Sequence, residues 1–171
     1  SPVLAVRGVS ISPGATAFTL TSGSLKFLAN DFVNEIKQQY TMEVISTMCK
    51  PKFYHRYALS RFKSEGYQLA VCSNSVRNSI EVMMEKAALS EYLSFIISNE
   101  DVVQGKPNPE MYIKAMKKLS LRPSECLIIE DNENGLKAAY ASGAHVLKVE
   151  KVQDANYFNI KNKIKEIENY A

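Results

Sequence analysis

Short apolar runs alternate with amphipathic stretches along this chain, and that alternation constrains the fold more than any other feature. Strand-length apolar runs fall at residues 67–72, at residues 95–97, around Ile128 and at residues 145–149. Stretches of helical period separate them. A helix is expected over residues 52–65, stopped by Gly66, and another over residues 76–88 with Ile80, Met83, Met84 and Ala87 on one stripe. A third follows Pro109 and turns Met111, Ala115, Met116 and Leu119 inward, and a fourth, closed by Gly143, turns in Leu136, Ala139 and Tyr140. Ile160, Ile164 and Ile167 mark a terminal helix with one apolar face. Such alternation implies an α/β fold, a Rossmann-like parallel sheet with helices on both faces.

At 171 residues, with 46% hydrophobic and 23% charged, the chain has the size and core of one ordinary domain. Membrane spans and a secretory leader are not expected, because no run is long enough and the apolar start lacks a basic region and a continuous hydrophobic stretch. A cytoplasmic protein is therefore expected. Cys49, Cys72 and Cys126 are odd in number and lack metal-ligand spacing, so they read as reduced apolar fillers. A net charge of +3 is too small to imply nucleic acid, and the tail lysines alternate with Glu166 and Glu168. His55 and His145 have no ligand partner at metal spacing and read as structural. Met83, Met84 and Met116 read as core.

Three segments carry chemistry. In the first, LAVCSNS, the run from Leu69 to Cys72 breaks into Ser73, Asn74 and Ser75 before a helix. Ligands bind at such strand ends in open parallel sheets, and the backbone N–H groups of the following helix favour an anion. The same serines also suit a helix cap. In the second, GKPNPE, Pro107 pushes Lys106 towards an extended backbone while Asn108 and Pro109 open a helix, so the ammonium is held in place. A held ammonium suits a phosphate oxygen or a pair of carboxylates, whereas an exposed loop lysine is the plainer alternative. In the third, CLIIEDNENG, an apolar strand ends in Glu130 and Asp131 before a new helix. Adjacent like charges at a strand mouth need a cation, and Mg²⁺ prefers such hard oxygen ligands. Acids at a helix N-terminus can also simply complement the helix dipole.

In order, spacing and placement these segments resemble the haloacid dehalogenase-like (HAD) superfamily of phosphohydrolases, in the branch related to β-phosphoglucomutase, from about residue 51 to residue 149. The resemblance implies that Ser73 is the hydroxyl of the second family motif and Lys106 the lysine of the third. It implies that Glu130 and Asp131 are the Mg²⁺ acids of the fourth, and that the backbone N–H of Asn74 faces phosphate. It also implies a small phosphorylated metabolite as substrate, while the charge and the lack of a spanning run argue against nucleic acid or a membrane as partner. Residues 51–171 would then be the HAD-like core and residues 12–50 a loop followed by a remnant of the helical cap, helical over residues 26–48.

The family's first strand ends in an Asp nucleophile, then one residue, then an acid/base Asp. Here the closest match, within residues 1–11, sets Ala5 at the nucleophile and Arg7 at the acid/base. A methyl group cannot attack phosphorus, and a guanidinium cannot accept a proton at neutral pH. A selected pseudoenzyme, a truncated or rearranged relative, and an accidental match at the N-terminus all fit this departure. The expectation is a phosphatase or phosphomutase scaffold that is nearly inactive in this chain. A phosphate- and Mg²⁺-binding or interaction module without chemistry is the alternative from another class. Haloacid dehalogenation fits less well, since it needs the same missing Asp and no metal.

Overall fold

The computed structural model describes the backbone of Leu4–Arg7, the helical residues Met42 and Glu43, and residues 50–169. The expected loop and cap remnant of residues 12–50 lies outside the described residues, apart from Met42, Glu43 and Lys50, and so does Cys49.

Five parallel strands form one sheet in the order β3-β2-β1-β4-β5. These are β1 (Leu4–Arg7), β2 (Leu69–Cys72), β3 (Phe95–Ile97), β4 (Cys126–Glu130) and β5 (His145–Lys148). Five helices follow the expected stretches closely: α1 (Phe53–Ser64), α2 (Arg77–Lys86), α3 (Glu110–Leu119), α4 (Glu133–Ala141) and α5 (Tyr157–Asn169). Gly66 and Gly143 take positive φ after α1 and α4, where a side chain would be strained.

The two-residue period of β2 and β4 sorts their side chains between two cores. Leu69, Leu127 and Ile129 face α1 and α5 through Ala58, Phe62, Ile160 and Ile164. Val71 meets α2 through Ile80, Met83 and Met84. Cys72, Cys126 and Ile128 face the other way, against Met111, Tyr112, Ala115 and Met116 of α3 and Ala138 and Ala139 of α4. Helices therefore cover both faces. Glu65, beyond the end of α1, accepts hydrogen bonds from Lys161 and Tyr157 of α5 at 2.8 and 2.6 Å, tying those two helices together.

Tyr140 departs from the expected inward stripe, since it is 64% exposed. The face of α4 that meets the sheet is built from Gly135, Ala138 and Ala139. Those small residues let the helix approach closely, and Tyr140 falls outside their arc. His55 and His145 make structural bonds to the carbonyls of Val152 and Ser124 at 3.1 and 3.2 Å. Among the described residues, no helix is long and apolar enough to cross a membrane.

Candidate functional site

Chain order runs from β1 to β2 and β3 on one side, then crosses to β4 and β5 on the other. The crevice at the C-terminal ends of β2 and β4, flanking β1, is therefore the topological switch point, the usual ligand position of such a sheet. Ser73 stands just past β2, and Glu130 ends β4 with Asp131 next in chain. Lys106 reaches the same place from the loop before α3.

Strand alternation sends Glu130 to the face of Cys126 and Ile128, towards α3 and α4, and it is 1% exposed. A buried carboxylate is costly unless its charge and lone pairs are satisfied. Here Oε2 accepts from Lys106 Nζ at 2.8 Å and from Tyr112 OH at 2.6 Å. Oε1 accepts the backbone N–H groups of Asp131 and Asn132 at 3.2 and 3.1 Å. The cation that the acidic pair requires is thus, at Glu130, the Lys106 ammonium. Asp131, by contrast, is exposed. Glu130 takes N–H groups at the entry to α4, as an acid complementing a helix N-terminus does, and pairs besides with the Lys106 ammonium.

Lys106 is far from an exposed loop lysine, since its side chain is 7% exposed. Its backbone is clamped by the Asn74 carboxamide, which accepts the Lys106 N–H at 2.8 Å and donates to the Lys106 carbonyl at 3.0 Å. Gly105 permits that approach, for a Cβ there would lie 2.8 Å from Asn74 Oδ1. Asn108 accepts the Glu110 N–H at 2.9 Å, but it stands one residue before the N-cap of α3, which is Pro109, so the helix starts one residue later than the sequence suggests.

The serines do not cap α2. Its N-cap is Val76, which offers no side-chain bond, and the Arg77 N–H donates instead to Glu100. Ser73, 1% exposed, accepts the Ser75 N–H on its hydroxyl at 3.2 Å. Cys72 lies beside these groups, but burial pushes its thiol up to about 12, so it stays protonated and is no substitute nucleophile. Burial, then the Glu130 carboxylate, raises the Tyr112 hydroxyl far above its usual value, fixing it as a donor.

The strand register locates the first segment. Ala5 is level with Leu69 and Leu127, and Arg7 with Val71 and Ile129. At about 3.3 Å per residue, Ala5 lies roughly 13 Å behind Ser73 along the sheet, and Arg7 roughly 7 Å behind. The level of Cys72 and Glu130 is reached one residue past Arg7, beyond the described strand.

Two contributors escaped the sequence reading. Tyr112 sits on the buried stripe of α3, where spacing from Ala115 and Met116 could have found it. Gly135 lies against Glu130: a Cβ there would come within 2.1 Å of its Cδ. A glycine in the first turn of a helix, five residues after a strand-end acid, was the available signal.

A lysine, a serine and two acids thus stand at the switch point of an open parallel α/β sheet. The sequence profile of the haloacid dehalogenase-like hydrolases matches residues 15–149, and the chain belongs to that family. It is 28% identical over 142 residues to an uncharacterised protein of Haemophilus influenzae, covering 80% of this chain and 70% of that one. It is 35% identical over 92 residues to a bifunctional riboflavin kinase/FMN phosphatase of Arabidopsis thaliana, covering 53% of this chain and only 24% of the relative. A HAD hydrolase of family IA, variant 3, from Entamoeba histolytica shares the fold, with a TM-score of 0.69 at 22% identity over 82% of this chain and 71% of that one.

Proposed function

We propose that this chain is a phosphate-binding scaffold of the phosphohydrolase type, phosphatase or phosphomutase, which holds a small phosphorylated metabolite without turning it over. The observation that carries this reading is the convergence of Ser73, Lys106 and Asp131, from three separate connections, on one crevice. The lysine there is buried and its backbone clamped. Ser73, the Asn74 backbone N–H and Lys106 take phosphate oxygens. Similarity to a relative named for its FMN phosphatase activity supports a phosphorylated metabolite as the ligand class.

The residues fit Mg²⁺ through Asp131. Among the described residues no cluster of three His, Cys, Asp or Glu side chains gathers as a metal site, and both oxygens of Glu130 are engaged by protein donors. Mg²⁺ is commonly held by one or two carboxylates together with water and substrate phosphate. Asp131 supplies the exposed carboxylate, and Glu130 serves chiefly as counter-ion to Lys106. When bound, the ion would neutralise phosphate charge.

Turnover requires a nucleophile at the mouth. Ala5 and Arg7 have the wrong chemistry and are set behind it. The buried free thiols of Cys72 and Cys126 suit a reducing, cytoplasmic setting.

Thermal shift with inorganic phosphate and Mg²⁺ tests the reading. Wild type should gain stability with both present, by about 2.7 kcal/mol at a hundredfold excess over Kd. Asp131→Ala should lose the Mg²⁺-dependent part and Lys106→Ala the phosphate-dependent part. Equal gains in all three proteins, or robust Mg²⁺-dependent hydrolysis of small phosphate esters by pure wild type, would overturn it.

A further inference from the structure

The lysine at the mouth is held by more than its carboxylate. Its Nζ lies 4.8 Å from the centroid of the Tyr112 ring. The hydroxyl of that tyrosine donates at 2.6 Å to Glu130 Oε2, the oxygen that accepts the ammonium at 2.8 Å. Tyr112 is 1% exposed and belongs to the inner face of α3, the helix that begins just after the lysine loop. One side chain thus touches both members of the ion pair.

We infer that Tyr112 is a positioning residue for Lys106, its ring bearing on the ammonium while its hydroxyl fixes the oxygen to which the ammonium points. This rests on the reading of Lys106 as a phosphate ligand. A lysine stem is flexible and its ammonium a point charge, so Lys106 needs outside restraint to present that charge in one direction. The Asn74 clamp restrains only the backbone. A cation over an aromatic face is attracted by the ring quadrupole, most strongly when desolvated, as here. A purely space-filling core residue would need no hydroxyl at this oxygen, and phenylalanine would fill the same volume.

The test uses the full chain with inorganic phosphate as probe, by calorimetry, in wild type, Tyr112→Phe, Lys106→Ala and the double variant. Tyr112→Phe should weaken phosphate binding about three- to tenfold, less than the full worth of a hydrogen bond to a charged group because the bond acts on phosphate only through Lys106. Lys106→Ala should weaken it further, and the double variant should bind no worse than Lys106→Ala alone. Independent, additive losses would mark Tyr112 as merely structural and overturn the inference.

A second measurement needs no phosphate. In wild type the two ε-methylene protons of Lys106, assigned by loss of signal in Lys106→Arg, should be shifted upfield by the ring and inequivalent in NMR spectra. Tyr112→Phe should reduce their inequivalence as the stem gains freedom, and Tyr112→Leu should abolish the upfield shift. Unchanged signals in Tyr112→Phe together with unchanged affinity would overturn the inference. If wild type binds no phosphate the proposed function fails, while these proton signals still decide the role of Tyr112.

Discussion

Gly135→Ala should be among the most damaging single-methyl additions to this protein. The new Cβ would lie 2.1 Å from Glu130 Cδ and 2.3 and 2.5 Å from its carboxylate oxygens, where ordinary contact begins at 3.4 Å. Glu130 or the first turn of α4 must then retreat by roughly 1 Å, and neither has slack in a close-packed interior. Glu130 is pinned by Lys106 at 2.8 Å, Tyr112 at 2.6 Å and two backbone N–H groups. Breaking a buried ion pair costs about 3–5 kcal/mol. Replacing a helical glycine by alanine returns roughly 1 kcal/mol. The net loss should be about 2–4 kcal/mol, or a fall in melting temperature of roughly 5–15 °C for a domain of this size. Urea denaturation followed by circular dichroism measures it. Gly66→Ala is the comparison: nothing lies within 4 Å of its Cβ and only its φ of 87° is unfavourable, so it should cost about 1–2 kcal/mol. In a Glu130→Ala background the added methyl at Gly135 should cost little, because the clashing group is gone. A Gly135→Ala protein as stable as wild type would refute the reasoning, and so would an undiminished loss in that background.

Lys106→Ala should destabilise the protein by about 3–5 kcal/mol at neutral pH, since it strands Glu130 in the interior; adding Glu130→Gln should recover part of the loss in urea titrations. Burial alone would raise Asp101, but hydrogen bonds from the Ser98 N–H and hydroxyl and the Arg77 guanidinium bring it down to about 2. Its contribution is therefore complete above pH 4 or so and is lost as pH falls towards 2. Ser98→Ala should lower neutral-pH stability by about 1–2 kcal/mol and flatten the loss between roughly pH 4 and 2, measured by denaturation at several pH values. Ala5→Asp paired with Arg7→Asp should leave phosphate-ester hydrolysis at background in a direct assay, because both positions sit behind the mouth in the strand register.

Much of the architecture was legible because strand period and helix period are local properties. The strands ending at Cys72 and Glu130 and the helices stopped by Gly66 and Gly143 stand within a residue or two of where the sequence sets them. Ser73, Lys106, Glu130 and Asp131 come together at one crevice, since strand ends in an alternating α/β chain gather there. What local pattern cannot show is which groups touch across the sheet. Nothing at position 112 says that its hydroxyl faces an acid 18 residues later. Likewise nothing at position 140 says that the helix sits too low on its small residues for a tyrosine to turn in.

The same limit explains the altered account of the acidic pair. Read along the chain, Glu130 and Asp131 are equivalent neighbours, and both ask for a cation. In the folded protein the strand period separates them: Glu130 points into the α3 and α4 face, where Lys106 and Tyr112 saturate one oxygen, while Asp131 is left at the exposed mouth. Their environments diverge accordingly, and the consequence can be measured. Removing Asp131 should change the response to Mg²⁺ with little effect on folding, since an exposed carboxylate contributes little stability. Removing Glu130 should unseat Lys106 and lower stability even without any ligand, because a buried ammonium then has no counter-charge. Titrating Mg²⁺ and urea against Asp131→Ala and Glu130→Ala separates the two acids. If both variants lose the Mg²⁺ response and keep wild-type stability, the pair acts as two equal ligands and the ion pair with Lys106 is incidental.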